Sequence, residues 1–268
     1  MRRAVGAQAD RHFVTALARG LDVLSCFRSG DRLLGNQELA ARCKLPRSTV
    51  SRLTYTLMKR GFLHYVEAEG KYRLGTATLA LGTAMLARDD VRQLLRPMMQ
   101  EVAEFADASV ALATRDRLSM IYMEVCRGHS ALTLAVDVGT RIPIASTAVG
   151  RAYLALCPDD ERRDIMTQLR ELDEVNWPRV RAGIGEGIAQ HTELGCCASF
   201  GDWQPNVNGI AVGFRPGNGL PPMAINCGGP AFNLSKDFLL ESVRPKLLEI
   251  ARCVDAERPL ARGAPAEV

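Results

Sequence analysis

The stretch Leu45-Pro46-Arg47-Ser48-Thr49-Val50-Ser51-Arg52-Leu53 decides the architecture of this chain. Pro46 suits the first position of a helix, where a missing N–H is no loss and the fixed φ is already helical. The helix it opens carries Val50, Leu53, Leu57 and Met58 as one apolar stripe. Arg47, Ser48, Ser51, Arg52 and Tyr55 lie off that stripe, and Thr49 borders it. The three-residue turn Cys43-Lys44-Leu45 joins it to an upstream helical segment from about Gln37 to Cys43. Gly35 or Asn36 is the N-cap there, and Glu38 sits in the first turn, where a carboxylate favours the helix dipole. Further upstream, Leu17, Leu21, Leu24 and Phe27 recur at helical spacing in Thr15–Phe27, and Arg28-Ser29-Gly30-Asp31 breaks that helix. Downstream, the β-prone runs Phe62–Val66 and Lys71–Leu74 flank the turn Glu67-Ala68-Glu69-Gly70 and predict a hairpin. Helix, helix, short turn, helix, hairpin is the order of a winged helix-turn-helix.

Such a module meets DNA through the helix after the turn. Base edges in the major groove are read by Arg, Ser, Thr, Asn or Gln near the N-terminus of an inserted helix. Arg47, Ser48, Thr49, Ser51, Arg52 and Tyr55 are the candidate DNA-contacting residues, with Lys71 and Arg73 of the hairpin reaching phosphates or the minor groove. Charge agrees. Residues 1–75 hold 14 Lys and Arg against 6 Asp and Glu, whereas residues 76–268 hold 20 against 24. A basic module on a mildly acidic partner points to a polyanion at the first part and not the second.

The whole chain, 268 residues with 47% hydrophobic and 24% charged, has the composition of an ordinary soluble globular protein, long enough for two modest domains. No apolar run approaches the ~18–20 residues needed to span a bilayer. The segment Met1–Asp10 is basic at its start but has no apolar stretch of a secretory signal, so a cytoplasmic protein with no membrane partner is expected. The eight cysteines show no C-x-x-C spacing, and none of the four histidines lies near them in a ligand-like pattern. Buried free thiols are therefore expected, with no metal and no cofactor. No G-x-S-x-G, P-loop or H-E-x-x-H is present, and the Gly-rich run Gly213–Gly219 reads as a turn between strands, so an enzyme is not expected. The remaining alternative is a DNA-binding thiol sensor using Cys196, Cys197 or Cys227.

Beyond the hairpin, Thr76–Ala87 is helix-prone and reads as a linker. From Val91 helices alternate with strands. Val91–Ala106 and Leu234–Val254 are helical by spacing, and Ser109–Thr114, Leu118–Val125, Ala131–Val136, Val207–Phe214 and Met223–Cys227 read as strands. Short turns between neighbours favour antiparallel pairing. Helices are expected on one face of this sheet, with a partner or ligand meeting the other. The expected organisation is a winged helix-turn-helix domain at 1–75, a linker helix at 76–90, an α+β domain with an antiparallel sheet flanked by helices at 91–258, and a flexible tail at 259–268.

The chain resembles the IclR-type bacterial transcriptional regulators. The resemblance is carried by Ala18-Arg19-Gly20-Leu21-Asp22-Val23-Leu24, Glu38-Leu39-Ala40, Leu45–Leu53 and Lys71-Tyr72-Arg73-Leu74-Gly75. In the second part it continues through Gly139-Thr140-Arg141-Ile142-Pro143, Ala148-Val149-Gly150-Arg151-Ala152, Asn208-Gly209-Ile210-Ala211 and Gly229-Pro230-Ala231-Phe232-Asn233-Leu234-Ser235. It implies a GAF-like C-terminal domain that binds a small organic acid effector. It also implies binding to double-stranded DNA at a palindromic operator, homo-oligomers (dimers or dimers of dimers), and control of catabolic genes. By position, the effector site would include Leu134, Thr147, Ala148, Val149, Ser199, Phe200, Gly209, Asn226 and Gly228. Two departures from the family pattern stand out. Lys44 occupies a turn position that is usually Gly, and the usually acidic pocket loop reads Cys197-Ala198-Ser199-Phe200-Gly201-Asp202-Trp203. Phe200 and Trp203 make that loop more aromatic, which favours an aromatic or otherwise apolar-bodied acid.

Overall fold

The computed structural model describes residues 12–28, 30–86, 90–130, 134–217 and 219–256. The expected tail at 259–268 lies outside them. The chain divides into two compact units, Met1–Arg88 and Asp89–Val268.

In the first unit, α1 (Thr15–Ser25), α2 (Asn36–Cys43) and α3 (Arg47–Lys59) precede an antiparallel hairpin of β1 (Leu63–Val66) and β2 (Lys71–Leu74); α4 (Thr76–Leu86) follows. Gly35 caps α2, and its N–H donates to the Glu38 carboxylate at 2.7 Å. Lys44, at the α2 C-terminus, takes φ 54° and ψ 40°, the left-handed conformation that turns the chain into α3. Val23, Phe27, Leu34, Leu39, Val50, Leu63 and Tyr72 form the core. The expected apolar stripe of α3 holds with one addition. Thr54 is wholly buried, and its hydroxyl bonds the Val50 carbonyl at 3.0 Å and the Tyr72 hydroxyl at 3.4 Å, pinning the helix to the hairpin.

The second unit is built on a six-stranded, fully antiparallel sheet: β3 (Ser109–Asp116), β4 (Ser119–Arg127), β5 (Arg141–Pro143), β6 (Cys197–Phe200), β7 (Val207–Phe214) and β8 (Met223–Pro230), in the order β5-β4-β3-β8-β7-β6. Helices are α5 (Asp90–Ala106), α6 (Ala148–Leu156), α7 (Asp159–Leu172) and α8 (Trp177–Leu194). The closing segment runs as α9 (Lys236–Phe238), a π turn (Leu239–Val243) and α10 (Arg244–Ala256). The expectation of helices on one sheet face only is corrected. Leu95 and Met99 of α5 and Leu247 and Ile250 of α10 pack with Val110, Leu112, Ile210 and Ile225, whereas Val149, Ala152 and Tyr153 of α6 and Ile184 of α8 pack with Ala111, Ala113, Ala211 and Ala224. Consecutive strand residues point to opposite faces, so apolar runs on β3 and β7 reflect burial on both. The strand expected over Ala131–Val136 is also corrected. Leu134–Val136 have no strand pairing, and Ala131-Leu132-Thr133 lie outside the described residues.

Two contacts fix the layers. Glu124 on β4 is buried and paired with Arg92 of α5, with Arg96 3.5 Å away. Arg151 of α6 is buried too, and its Nη1 donates to the Ala198 carbonyl at 2.9 Å and to Asp202 at 2.8 Å. A register shift between Leu112 and Ala113 opposite β4 makes the chain bulge there, with Ala113 facing Tyr122 and Leu112 facing Glu124. Among the described residues no helix is long and apolar enough to cross a membrane.

Candidate DNA-reading face and effector pocket

On α3, Arg47, Ser48, Ser51, Arg52 and Tyr55 are all exposed along one side, while Thr49 is half-buried, as its place beside the apolar stripe implies. No ion pair among the described residues engages Arg47, Arg52 or Arg73. Ser51 is partly committed, since its hydroxyl accepts from the Asn36 amide at 3.3 Å. The Lys59 ammonium lies 5.5 Å from the Tyr55 ring centroid. On the hairpin, Arg73 is exposed and Lys71 pairs with Glu38 at 3.3 Å, so Lys71 also braces the hairpin against α2. Ser51, Arg52 and Tyr55 border an apolar groove of about 1090 Å³ lined by Leu17, Leu21 and Leu24 of α1, Leu53 and Leu57 of α3, and Leu81 of α4.

In the second unit a cavity of about 30 Å³ lies between the sheet and the N-terminus of α6. Thr147 caps that helix, accepting from the Gly150 N–H at 3.2 Å and donating to the Pro143 carbonyl at 2.6 Å. The seating is close. A Cβ on Gly150 would lie 2.0 Å from the Ile144 carbonyl oxygen, so only glycine lets α6 start there. Eight of the nine residues expected at the effector site line this cavity: Leu134, Thr147, Ala148, Val149, Ser199, Gly209, Asn226 and Gly228. The floor follows from register, since Ser199 pairs with Gly209, which pairs with Gly228. The two glycines place no side chains there and leave the space open.

Phe200 does not line the cavity, and its expected place is corrected. It follows Ser199 on β6 and therefore points to the opposite face, where the Lys236 ammonium lies 5.2 Å from its ring. The Ser199 hydroxyl donates to the Ser146 carbonyl at 2.9 Å. Trp203, which makes the loop more aromatic, does line the cavity. Tyr122, Ile142, Val207 and Asn208 complete the lining; none of them is among the residues expected at the effector site, although Ile142 and Asn208 lie within the segments that carry the resemblance. Asn208 directs its amide to the Leu234 carbonyl at 2.9 Å.

Tyr122 matters most of these. It is almost wholly buried, its hydroxyl is bonded to Asn226, and burial pushes its phenol up to about 12, so it stays protonated. Asn226 Oδ1 is buried with no hydrogen-bond partner. Among the described residues no Lys, Arg or His lines the cavity, and Ala148 and Val149 of the first turn of α6, the positive pole of that helix, do. Among the described residues no cluster of His, Cys, Asp or Glu is placed to hold a metal. Cys196, Cys197 and Cys227 are buried and free, and burial drives the thiols of Cys197 and Cys227 up to about 12.

A winged helix-turn-helix with an exposed Arg/Ser/Tyr face, joined to an α+β unit with its own cavity, defines a transcriptional regulator of the helix-turn-helix class. Residues 16–67 match the IclR helix-turn-helix domain, and residues 83–256 match the bacterial transcriptional regulator IclR C-terminal domain. The chain is 34% identical over 251 residues to the HTH-type transcriptional regulator TsaQ1/TsaQ2 of Comamonas testosteroni, covering 93% of this chain and 90% of that one. The crystal structure of an IclR family transcriptional regulator from Brucella abortus superposes with a TM-score of 0.86 at 41% identity, over 96% of this chain and 97% of its own. An IclR homolog from Microbacterium hydrocarbonoxydans, crystallised in complex with 4-hydroxybenzoate, shares the fold with a TM-score of 0.69 at 24% identity, over 90% and 98% of the two chains. The chain belongs to the IclR family: it is a DNA-binding transcriptional regulator and not an enzyme.

Proposed function

We propose that this regulator binds a roughly palindromic operator as a homo-oligomer, and that a small organic acid in the α6 cavity modulates that binding. The observation that carries the reading is the convergence of eight expected effector residues on one cavity, beside the unpartnered Asn226 Oδ1. A carboxylate suits the α6 N-terminus, where the helix dipole and the first-turn amides ahead of the Thr147-capped Gly150 favour negative charge. At the other end, Asn226 Oδ1 accepts from a ligand hydroxyl and the Tyr122 phenol supplies a donor. Leu134, Ile142, Val149, Val207 and Trp203 offer apolar contact to the body between.

A hydroxylated aromatic acid has this arrangement of groups, and the 4-hydroxybenzoate held by the Microbacterium homolog is one such molecule. A cavity of about 30 Å³ is room for only a water or two, so the acid enters by moving α6 away from the sheet floor. That opening is the differential contact through which ligand favours one conformation over another. Genes for the breakdown of such an acid are the proposed targets.

At the DNA end, Arg47, Ser48, Thr49, Ser51, Arg52 and Tyr55 enter the major groove, with Lys71 and Arg73 on the flanking backbone. Two α3 helices of a dimer meet successive grooves about 34 Å apart or a multiple of it. Leu17, Leu21, Leu79 and Leu81, all exposed in the first unit, supply apolar surface for a second copy. The test begins by selecting operator sequences from a random pool with the purified protein. Arg52→Ala then weakens operator binding by roughly 5–150-fold, about 1–3 kcal/mol, and leaves effector affinity without DNA unchanged. Equal operator affinity for parent and variant removes Arg52 from the interface.

A further inference from the structure

In the first unit two cysteines from different helices meet. Cys26 is the C-cap of α1 and Cys43 is the last residue of α2, and their Sγ atoms lie 2.9 Å apart as free thiols. Cys26 is 8% exposed and Cys43 is half-buried, so Cys43 is the more accessible residue of the pair. Adjacency in sequence favours Cys196 and Cys197 as a redox pair. Those two belong to opposite faces of the sheet, each packed in a different core, whereas the pair that the fold brings together stands seventeen positions apart in sequence.

The backbone around the pair is already tied. Arg42 Nη1 donates to the Cys26 carbonyl at 2.8 Å, and the same guanidinium is paired with Asp31, whose carboxylate also accepts the Arg28 N–H at 2.9 Å. The junction between α1 and α2 is thus held with the sulfurs facing each other, less than about 1 Å from the ~2.04 Å of a formed bond.

We propose that Cys26 and Cys43 form a reversible disulfide when the regulator meets a hydroperoxide, stapling α1 to α2 beneath the DNA-reading helix. Peroxide first converts the more accessible thiolate, that of Cys43, to a sulfenic acid with release of hydroxide. The Cys26 sulfur then attacks it, forming the S–S bond, and water leaves with the Cys26 proton. In total two thiols and one hydrogen peroxide give one disulfide and two waters, the two electrons passing to the peroxide oxygens. Burial and the thiol–thiol contact push the Cys43 thiol above its ordinary value, which keeps its thiolate scarce. Oxidation is accordingly slow, a response to sustained rather than momentary peroxide.

The staple closes a loop from residue 26 to residue 43 within the small first unit. Cross-linking of that kind restricts the unfolded chain and raises thermal stability. The test treats the full-length protein with hydrogen peroxide, blocks remaining thiols with N-ethylmaleimide and maps the peptides without reduction. The expected result is one intramolecular cross-link between the Cys26 and Cys43 peptides, lighter by two hydrogens and lost on adding dithiothreitol. The melting transition of the first unit should rise by roughly 10 °C in the oxidised protein. Cys43→Ser, at a half-buried site, should lose both the cross-link and the rise, as should Cys26→Ala. Blocked, unoxidised Cys26 and Cys43 after prolonged peroxide would overturn the proposal. So would a rise in melting temperature that survives in Cys43→Ser, or a cross-link that joins Cys196 to Cys197 instead.

Discussion

Lys44 holds the turn between α2 and α3 in a conformation that L-residues adopt at a cost. Its φ of 54° puts the Cβ near the following carbonyl, a strain glycine does not feel. Lys44→Gly should therefore stabilise the protein by about 0.5–1 kcal/mol, the relief of strain outweighing the added freedom of the unfolded chain, as read by a higher urea midpoint with an unchanged slope. Asp31 makes the complementary electrostatic argument. Hydrogen bonds from Arg42 and from the Arg28 N–H lower its carboxyl from 3.8 to about 2. A depressed folded-state value means stability that is present above the unfolded value near 3.8 and is lost as pH falls through about 2. The parent should thus exceed Asp31→Asn in urea midpoint at pH 7, and that gap should close between about pH 5 and pH 2. A gap independent of pH would assign the loss to packing instead.

The elements differ in how much of them sequence discloses. α1, α2, α3 and the hairpin have local signatures: an apolar stripe, a proline at a helix start, a turn ending in glycine. The strand Val207–Phe214 is found with the bounds expected of it. α6 is another matter. Every residue from Ala148 to Leu154 is buried, Arg151 included, so the helix is covered all round and its burial does not follow the polar and apolar pattern of its residues. Phe200 departs from its expected place for a related reason. Aromatic character marks a loop as pocket-like, but alternation along β6 sends Ser199 and Phe200 to opposite faces. Tyr122 escapes sequence reading because its position depends on the β3–β4 bulge and on the Asn226 register, neither of which has a local signal. The β7–β8 floor gives an element-scale prediction. A Cβ on Gly228 would lie 3.3 Å from the Asn208 carbonyl oxygen and 3.7 Å from the Asn226 amide, so the β7 backbone must give by a few tenths of an ångström to admit it. Gly228→Ala should fold with a modestly lowered melting temperature and bind the effector at least tenfold more weakly, because the methyl occupies the floor. Undiminished effector affinity would move the ligand elsewhere.

At the scale of the molecule, two units of different charge and architecture share one chain, and each carries its own candidate recognition surface. If an acid in the second alters the operator affinity of the first, linkage requires operator DNA to alter the acid's affinity by the same factor. Charge asymmetry and motif order make this division legible in the sequence itself, while the cavity's polar end, Tyr122 with Asn226, emerges only from the fold. That polar end is also where the functional reading is most exposed. The measurement that tests it most directly is calorimetric titration of the parent and Asn226→Ala with a panel of aromatic and aliphatic carboxylic acids. A hydroxylated aromatic acid should bind the parent and bind Asn226→Ala at least tenfold more weakly, about 1.4 kcal/mol. Tight binding of a small aliphatic acid with no aromatic acid bound, or equal affinity in parent and variant, would contradict it.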